Sequence, residues 1–476
     1  MSHRCCQRNS IGRQDEGVAA ILRFAQNLPM KLTNLVLTSI AAGALVLVVA
    51  GCSSSSVSNS STPKLTSAVT DEAPTTAGSA VRATFRVDPA VTLMDQPVNI
   101  SLSGLPADAH VTVSAQATDV DGSVWKSSAQ FTATPSGTVS LAQPSTGGSY
   151  QDSDPMAMFE LMVPPSTSRA QIFRTPAVKT FPVTFRATVD GVPVAQVTVN
   201  RDTFLSKGVT ATGYLPAAGS GIYGTYFAAP SIGHRKPAVL LFGGSEGGNF
   251  EINEGKILAA QGIPTLTLAY FGEPGLPSSL TNIPLEYFQK ALKVLAARPE
   301  VDRTEIYAWG ISRGSEAALL LGVHYPELVH GVIAGAPSAL VFGNYPSSGQ
   351  PAWTLQGTAI PFVPDADFFA TTNLSQYPEA VIPVEKIRGP IFTACGGVDT
   401  LWPSCVNASA ITRRLQANPS PYPHVALSYP DAGHVIGAMS GYVSVTSNGG
   451  EGGTVVANGA ALADSHTKLL AFLKSN

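Results

Sequence analysis

Ser312 lies at the centre of a Gly-Ile-Ser-Arg-Gly pattern (residues 310–314), between a β-prone run at 305–309 and an apolar helical run at 317–321. Such a serine, in a turn from strand to helix, is typical of a nucleophile elbow, which exposes the hydroxyl at the end of a sheet. The glycines are needed because the turn is strained and leaves no room for side chains. The pattern predicts that Ser312 is the nucleophile of a hydrolase; the alternative is chance occurrence among 44 glycines.

A serine hydroxyl needs a neighbouring general base, and that base needs an orienting carboxylate. On sheets with this elbow the chain order is serine, acid, histidine. Asp399 follows a predicted strand at 390–394, and His434 follows another at 424–429. Because α/β sheets place ligand sites in the loops after their strands, the sequence predicts a triad of Ser312, Asp399 and His434.

Alternatives stay open for two members of this triad. Asp431 and Asp365 compete with Asp399 for the acid position. Asp431 is too close in sequence to His434 to come from a separate strand end. For His434 the alternative is an ordinary histidine of a surface loop.

An oxyanion hole on this fold combines two backbone N–H groups. One belongs to Arg313, which follows the nucleophile, and the other comes from the loop after a predicted strand at 238–242. We assign the second donor to Ser245, within the glycine-rich run 243–248. Losing one such donor typically costs about 3 kcal/mol of transition-state stabilisation. The alternative is that the glycines only form a tight turn.

The elements that must position these residues alternate between strand and helix from 213 to 476, which predicts a doubly wound α/β-hydrolase domain with a mostly parallel sheet. Strands are predicted at 238–242, 264–270, 305–309, 331–334, 390–394 and 424–429, and helices at 254–262, 285–297, 317–321 and 459–474. Aromatic residues between 338 and 379 predict a lid or acyl pocket over the site, or a covering loop that only packs. These aromatic residues are Phe342, Tyr345, Trp353, Phe362, Phe368 and Phe369.

Residues 81–205 instead contain short β-prone runs separated by turn residues, which predicts an immunoglobulin-like β-sandwich. Predicted strands lie at 84–87, 98–102, 111–115, 131–134, 158–162, 183–187 and 196–199. We expect Trp125 in the core of this domain. No catalytic motif falls within it.

The N-terminal residues predict export to a bacterial cell envelope. Residues 30–52 combine a basic start, an apolar run and small residues before Cys52, which indicates a lipoprotein signal peptide with Cys52 lipidated. The alternatives are a plain transmembrane anchor or an ordinary signal peptide. Residues 1–29 are interpreted as a non-translated or leader extension, and residues 53–80 as a disordered Ser/Thr-rich linker. A lipid anchor would hold the protein on a membrane, facing the periplasm or the exterior.

Two cysteines, Cys395 and Cys405, remain in the exported part besides Cys52. A pair of cysteines in an oxidising compartment is a candidate disulfide, with two free buried cysteines as the alternative. A net charge of −3 gives no electrostatic case for nucleic acid. No Cys/His cluster has zinc spacing, and the run 243–248 lacks the Lys-Ser/Thr ending of a P-loop, so we predict neither metal nor cofactor.

The sequence resembles the acyl-CoA thioesterase/bile acid-CoA:amino acid N-acyltransferase family over most of residues 82–476. The motifs that carry the resemblance are Gly-Ile-Ser-Arg-Gly-Ser-Glu at Ser312, Phe-Gly-Gly at 242–244, Leu-Glu-Tyr-Phe at 285–288, Ile-Pro-Val-Glu at 382–385, Asp399-x-x-Trp402, Tyr-Pro-x-x-Gly-His ending at His434, Leu-Met-Asp-Gln-Pro-Val at 93–98 and Ser-Gly-Leu-Pro at 103–106. The resemblance implies Ser312 as nucleophile, Asp399 as acid, His434 as base and an acyl-CoA thioester as substrate. Serine rather than cysteine at the nucleophile implies hydrolysis.

Two other functions stay open because the same fold and triad serve many reactions. One is an exported carboxylesterase or peptidase. The other is a non-catalytic surface-binding lipoprotein, against which the intact triad order argues. The acyl chain length and the oligomeric state are not assigned.

Overall fold

The computed structural model describes residues 82–475 except 152, 169–171, 177–179, 205–206, 229–234, 348, 365–373 and 447–450. The predicted leader, the signal peptide with Cys52 and the linker lie outside the described residues, as do Asp365, Phe368 and Phe369. None of the helices that the structure describes is long and apolar enough to cross a membrane.

The N-terminal domain consists of two sheets, as the strand spacing predicts. Within the described residues one sheet has three strands in the order β1-β3-β6, and the other has six in the order β2-β9-β8-β4-β5-β7. The strands are β1 (Thr84–Asp88), β2 (Val91–Leu93), β3 (Asn99–Ser103), β4 (His110–Thr118), β5 (Val124–Thr132), β6 (Val139–Ser140), β7 (Gly147–Gly148), β8 (Thr180–Val189) and β9 (Val192–Asp202).

Strands β4 and β5 bury every second side chain, so one face of their sheet packs into the core. Trp125 is fully buried there, as predicted, and its indole N–H donates to the Asp119 carboxylate at 2.9 Å. The predicted strand at 158–162 is wrong, because that segment contains the short helix α1 (Ala157–Glu160). The Asp154 carboxylate accepts the N–H of Met156 at 2.8 Å and starts a helical turn, which competes with extended structure.

The C-terminal domain is an α/β-hydrolase fold, in agreement with the prediction. Its eight-stranded sheet, counted over the described residues, has the order β10-β11-β13-β12-β15-β16-β19-β20. These strands are β10 (Thr210–Tyr214), β11 (Tyr223–Ala228), β12 (Lys236–Phe242), β13 (Thr265–Ala269), β15 (Val301–Ile311), β16 (Gly331–Gly335), β19 (Ile391–Gly396) and β20 (Val425–Tyr429). A small sheet is formed by β14 (Ile283–Pro284), β17 (Trp353–Leu355) and β18 (Thr358–Ala359).

Among the described residues, five helices accompany this sheet: α2 (Ile252–Ala260), α3 (Leu285–Ala296), α4 (Arg313–His324), α5 (Ser404–Ala417) and α6 (Val455–Ser475). All neighbours from β13 to β20 pair in parallel, whereas β10, β11 and β13 pair antiparallel at one edge. The six predicted strands of this domain are confirmed, and the antiparallel pair β10 and β11 was not predicted. The parallel strands all end at the same edge of the sheet, and the loops at that edge carry the candidate site.

The two domains share part of their cores. Ile257 of α2 and Val443 pack within the apolar cluster of the sandwich. The Asp95 carboxylate of the sandwich accepts a hydrogen bond from Gln261 Nε2 at 2.6 Å and contacts His466 Nε2 at 3.4 Å. The sandwich therefore packs directly on the side of the hydrolase domain formed by α2 and α6.

Candidate active site

Ser312 joins β15 to α4 in a strained turn. Its backbone angles are φ 55° and ψ −124°, in the positive-φ region that a residue with a side chain rarely adopts. The Ser312 N–H donates to the Gly335 carbonyl at 2.9 Å, and the Ser315 N–H donates to the Ser312 carbonyl at 2.8 Å. The surrounding backbone thus holds the turn in the conformation expected of a nucleophile elbow.

Both glycines of the elbow sit where a side chain would collide with backbone. A Cβ atom on Gly310 would lie 2.0 Å from the Gly314 carbonyl oxygen. A Cβ atom on Gly314 would lie 2.2 Å from the Gly243 carbonyl oxygen. The second contact shows that the loop after β12 lies directly against the start of α4.

Asp399 and His434 lie in the loops after β19 and β20 and contact each other directly. His434 Nδ1 is 2.8 Å from Asp399 Oδ2. The other carboxylate oxygen, Oδ1, accepts the N–H groups of Leu401 at 3.0 Å and Trp402 at 3.2 Å. The Asp399 side chain is 1% exposed. Its orientation is therefore fixed by its own turn, and it in turn orients the imidazole. The competing Asp431 is exposed.

Trp402 connects this pair to the elbow. Its indole N–H donates to the Ala336 carbonyl at 3.1 Å, just after β16, and its ring lies 6.0 Å from the His434 ring. Gly437, in the 3-10 helix that begins at His434, packs against Ile311, the residue before the elbow serine. The Ser312 hydroxyl makes no hydrogen bond to His434 in the described structure. In substrate-free active sites such bonds often form only when substrate is bound.

His434 lies among three carboxylates. Burial would lower the pKa of His434, but the hydrogen bond and charge of Asp399, with the charges of Glu451 and Glu246, outweigh burial and raise it. The backbone N–H of His434 donates to the backbone carbonyl of Glu451 at 2.8 Å, and this bond fixes the segment before α6 against the site. A raised pKa means that the neutral, proton-accepting imidazole is lost at a higher pH than for an ordinary histidine.

The Arg313 side chain has a structural role that the sequence analysis missed. Its guanidinium pairs with Glu316, with Nε 2.6 Å from Oε1, and both side chains are almost fully buried. Arg313 also donates to the carbonyls of Phe342 and Gly343, and Glu316 accepts the indole N–H of Trp353 at 2.8 Å. The spacing of an Arg and a Glu three residues apart, directly after the elbow serine, could have indicated this ion pair. The pair attaches α4 to the segment that covers it.

Phe342 and Trp353, which were expected to form a lid or acyl pocket, are buried. The Phe342 ring packs on Trp402 at 6.1 Å, and the Trp353 ring packs on Tyr270 at 5.6 Å. These two aromatic side chains contribute to packing beneath the site, which agrees with the alternative of a covering loop.

The loop after β12 is held by a tyrosine. The Tyr270 hydroxyl lies 2.9 Å from the Gly243 carbonyl and 2.6 Å from the Gly244 carbonyl. Ser245, the predicted second oxyanion donor, is half-buried on this loop. The neighbouring Gly244 N–H donates to Glu246 Oε1 at 2.6 Å. Tyr270 and Glu246 were not predicted, because their contacts depend on how the loop folds.

Cys395 and Cys405 form a disulfide with an S–S distance of 2.07 Å. Cys395 is the fifth residue of β19, and Cys405 is the second residue of α5. The bond therefore closes the loop that carries Asp399.

Models of one family match both domains. Residues 95–213 match the "Acyl-CoA thioester hydrolase/BAAT N-terminal region", and residues 283–476 match "BAAT / Acyl-CoA thioester hydrolase C terminal". The chain belongs to the acyl-CoA thioester hydrolase/BAAT family. It is a hydrolase with an α/β-hydrolase fold, and its elbow and its Asp399–His434 pair lie in the C-terminal family domain.

The chain is also similar to individual proteins. The chain is 28% identical over 371 residues to acyl-coenzyme A thioesterase 1 of Rattus norvegicus, covering 75% of this chain and 86% of the relative. It is 28% identical over 368 residues to the mitochondrial acyl-coenzyme A thioesterase 2 of Mus musculus, covering 74% and 79%. Among solved structures, a putative dienelactone hydrolase from Klebsiella pneumoniae is 15% identical with a TM-score of 0.39, covering 56% of this chain and 99% of that structure.

Proposed function

We propose that the protein hydrolyses acyl thioesters of the acyl-CoA type through a Ser312–His434–Asp399 triad and an acyl-enzyme. The observation that carries this proposal is the 2.8 Å contact between His434 and Asp399, at the sheet edge that also presents Ser312 on its strained turn. An oriented histidine and a serine held on a strained turn after a strand are the two parts that nucleophilic acyl transfer needs.

In the first half of the reaction His434 takes the Ser312 hydroxyl proton as the serine oxygen attacks the thioester carbonyl carbon. The backbone N–H groups of Arg313 and Ser245 are proposed to donate to the resulting oxyanion, at the N-terminus of α4 and in the loop after β12. Collapse of the tetrahedral intermediate breaks the carbon–sulfur bond, and His434 returns the proton to the thiolate. Asp399 stabilises the imidazolium throughout.

In the second half water replaces the thiol. His434 takes a proton from water, the hydroxide attacks the acyl carbon, and the Ser312–acyl bond breaks as the proton passes back to the serine oxygen. Hydrolysis rather than transfer to an amine is supported by serine at the nucleophile. The thioester class is supported by the names of the relatives, which are acyl-coenzyme A thioesterases.

We further propose that the mature protein is anchored through Cys52 and faces the outside of a bacterial membrane. The lipoprotein-like signal at residues 30–52 supports this location. The location favours a second candidate, hydrolysis of an exported ester or amide, since CoA esters are intracellular metabolites. Metabolic lipid labelling tests the anchor. The wild-type protein should be labelled, and Cys52→Ser should not.

The catalytic proposal is tested by labelling with a fluorophosphonate probe, followed by hydrolysis of acyl-CoA esters and p-nitrophenyl esters. Wild-type protein should be labelled, Ser312→Ala should not, and exposed Ser166→Ala should behave as wild type. Faster turnover of acyl-CoA than of p-nitrophenyl esters supports a thioesterase, and the reverse supports an exported esterase. Unchanged labelling and hydrolysis in Ser312→Ala would show that Ser312 is not the nucleophile. Absence of both labelling and hydrolysis in the wild-type protein would leave only the non-catalytic surface protein.

A further inference from the structure

Glu246 belongs to the loop after β12 that is proposed to stabilise the oxyanion, and its carboxylate binds the backbone of the same loop. Its Oε1 accepts the Gly244 N–H at 2.6 Å. A Cβ atom on Gly244 would be 2.7 Å from the Ser312 Cβ atom and 3.1 Å from Glu246 Oε2. The backbone at Gly244 therefore has the nucleophile and the Glu246 carboxylate as immediate neighbours.

A second acidic residue, Glu251, lies close to Glu246. A Cβ atom on Gly243 would be 1.8 Å from Glu246 Oε1 and 2.3 Å from Glu251 Oε1, so the two carboxyl groups crowd one face of this glycine. Glu251 is 7% exposed, and its Oε2 has no hydrogen-bond partner within the described residues. Burial and the charges of Glu246 and Glu254 raise the pKa of Glu251 well above its ordinary value. Burial thus disfavours the charged form of Glu251. Burial raises the pKa of Glu246 as well, although its side chain retains exposed surface.

A carboxylate in this position conflicts with the reaction proposed above. The loop after β12 should present hydrogen-bond donors to a developing negative charge. In this structure one of its donors is used by an existing negative charge, beside the nucleophile. The acyl oxygen is proposed to use the N–H groups of Arg313 and Ser245. The Glu246 carboxylate, held on the neighbouring Gly244 N–H, places a negative charge beside these donors and opposes a developing oxyanion.

We propose that Glu246 is a positioning residue that closes the oxyanion loop of the free enzyme. Substrate must displace its carboxylate, or the carboxylate must take up a proton, before the loop can receive an acyl oxygen. The inference rests on the proposed function and extends it, because it assigns the loop a closed and an open state.

Glu246→Gln should open the loop, since a neutral amide oxygen is a weaker acceptor than a carboxylate. We expect kcat/KM for p-nitrophenyl esters and the rate constant of fluorophosphonate labelling to rise about tenfold at neutral and alkaline pH. The gain should disappear at acid pH, where Glu246 is itself protonated. Exposed Glu379→Gln is the matched control and should behave as wild type.

The pH profile provides the readout that a merely structural role would not change. The charged groups around His434 are Asp399 after β19, Glu451 before α6 and Glu246 after β12. Removing the charge of Glu246 lowers the pKa of His434, so the acid limb of kcat/KM should move to lower pH in Glu246→Gln. Glu246→Asp keeps the charge on a shorter side chain, and it should increase the rate without the full shift of this limb.

The outcomes separate this inference from the proposed function. If wild-type Ser312 is labelled but Glu246→Gln and Glu246→Asp are both slower at every pH, with the limb unmoved, Glu246 only supports the loop and the inference is wrong. If wild-type protein is not labelled at Ser312 at all, the proposed function fails first and the inference fails with it. Thermal unfolding of each variant shows whether a slower rate reflects lost structure.

Discussion

The two sides of the candidate site are held in different ways. On the acid–base side, Asp399 and His434 are fixed by side-chain hydrogen bonds, by Trp402 and by a disulfide that closes the Asp399 loop. On the oxyanion side, the loop after β12 is fixed by Tyr270 and carries the Glu246 carboxylate on one of its N–H groups. We therefore propose a site in which His434, as base, is oriented before substrate arrives, while the oxyanion loop still has to open.

The acid–base side can be broken at the aspartate. Asp399→Asn keeps the shape but cannot hold the His434 tautomer or stabilise the imidazolium. We expect kcat to fall about 10⁴-fold, the loss that such a change causes in a serine protease triad. Steady-state ester hydrolysis measures it, with exposed Asp431→Asn as the control. Equal losses in both variants would contradict the assignment of the acid.

The buried ion pair of Arg313 and Glu316 supports both sides of the site. Glu316→Gln leaves a buried guanidinium without its counter-charge, which typically costs about 3–5 kcal/mol of the free energy of unfolding. Chemical denaturation should show this loss. The exposed Glu379→Gln variant should be unaffected. A stability within about 1 kcal/mol of wild type would show that the pair is dispensable.

The disulfide tests how firmly the acid–base side is held. Removing it with Cys395→Ser and Cys405→Ser together should cost about 2–3 kcal/mol of stability, because the closed loop is short. We expect kcat to fall as well, since the same loop orients Asp399. A double variant with reduced stability but unchanged kcat would show that the Asp399 turn and Trp402 are sufficient.

Tyr270→Phe tests the oxyanion side. The change removes one hydroxyl that donates to the Gly243 and Gly244 carbonyls while keeping the ring packed against Trp353. We expect kcat to fall about tenfold, which corresponds to about 1–2 kcal/mol for a lost buried hydrogen bond. KM for p-nitrophenyl esters should change less than kcat. The opposite pattern would place Tyr270 in substrate binding.

The smallest expected effect concerns the charges around His434. Because its pKa is raised, activity should be present at high pH and should be lost as pH falls through a value above the ordinary pKa of about 6.5. Glu451→Gln removes one of the carboxylates responsible and should move this limb down by less than about one pH unit. A limb that moves up, or does not move, would show that the Glu451 charge has no influence.

The sequence predicted those parts of the site that follow from chain order and strand ends. Ser312, Asp399 and His434 were assigned because a parallel sheet brings the ends of β15, β19 and β20 together, and the structure brings Asp399 and His434 into contact. Their catalytic roles, and that of Ser245, remain predictions.

Other features could not be predicted because they arise from contacts distant along the chain. Tyr270 reaches Gly244 across 26 residues, and Glu246 meets Glu251 only because the loop turns back. The segment around the helix Ala157–Glu160 was predicted as a strand because residues 158–162 form a short, mostly apolar run, which strands and buried helices share. The Asp154 side chain that starts the helical turn was overlooked.

The shared core of the two domains has a practical consequence for anyone dividing the protein. A hydrolase fragment that begins near residue 213 would expose Ile257 and Val443 to water and would leave His466 and Gln261 without Asp95. The β-sandwich is therefore part of the folding unit of the enzyme, and we expect the two domains to unfold in a single calorimetric transition. Swapping the sandwich for that of another family member would require transplanting its partners on α2 and α6 as well.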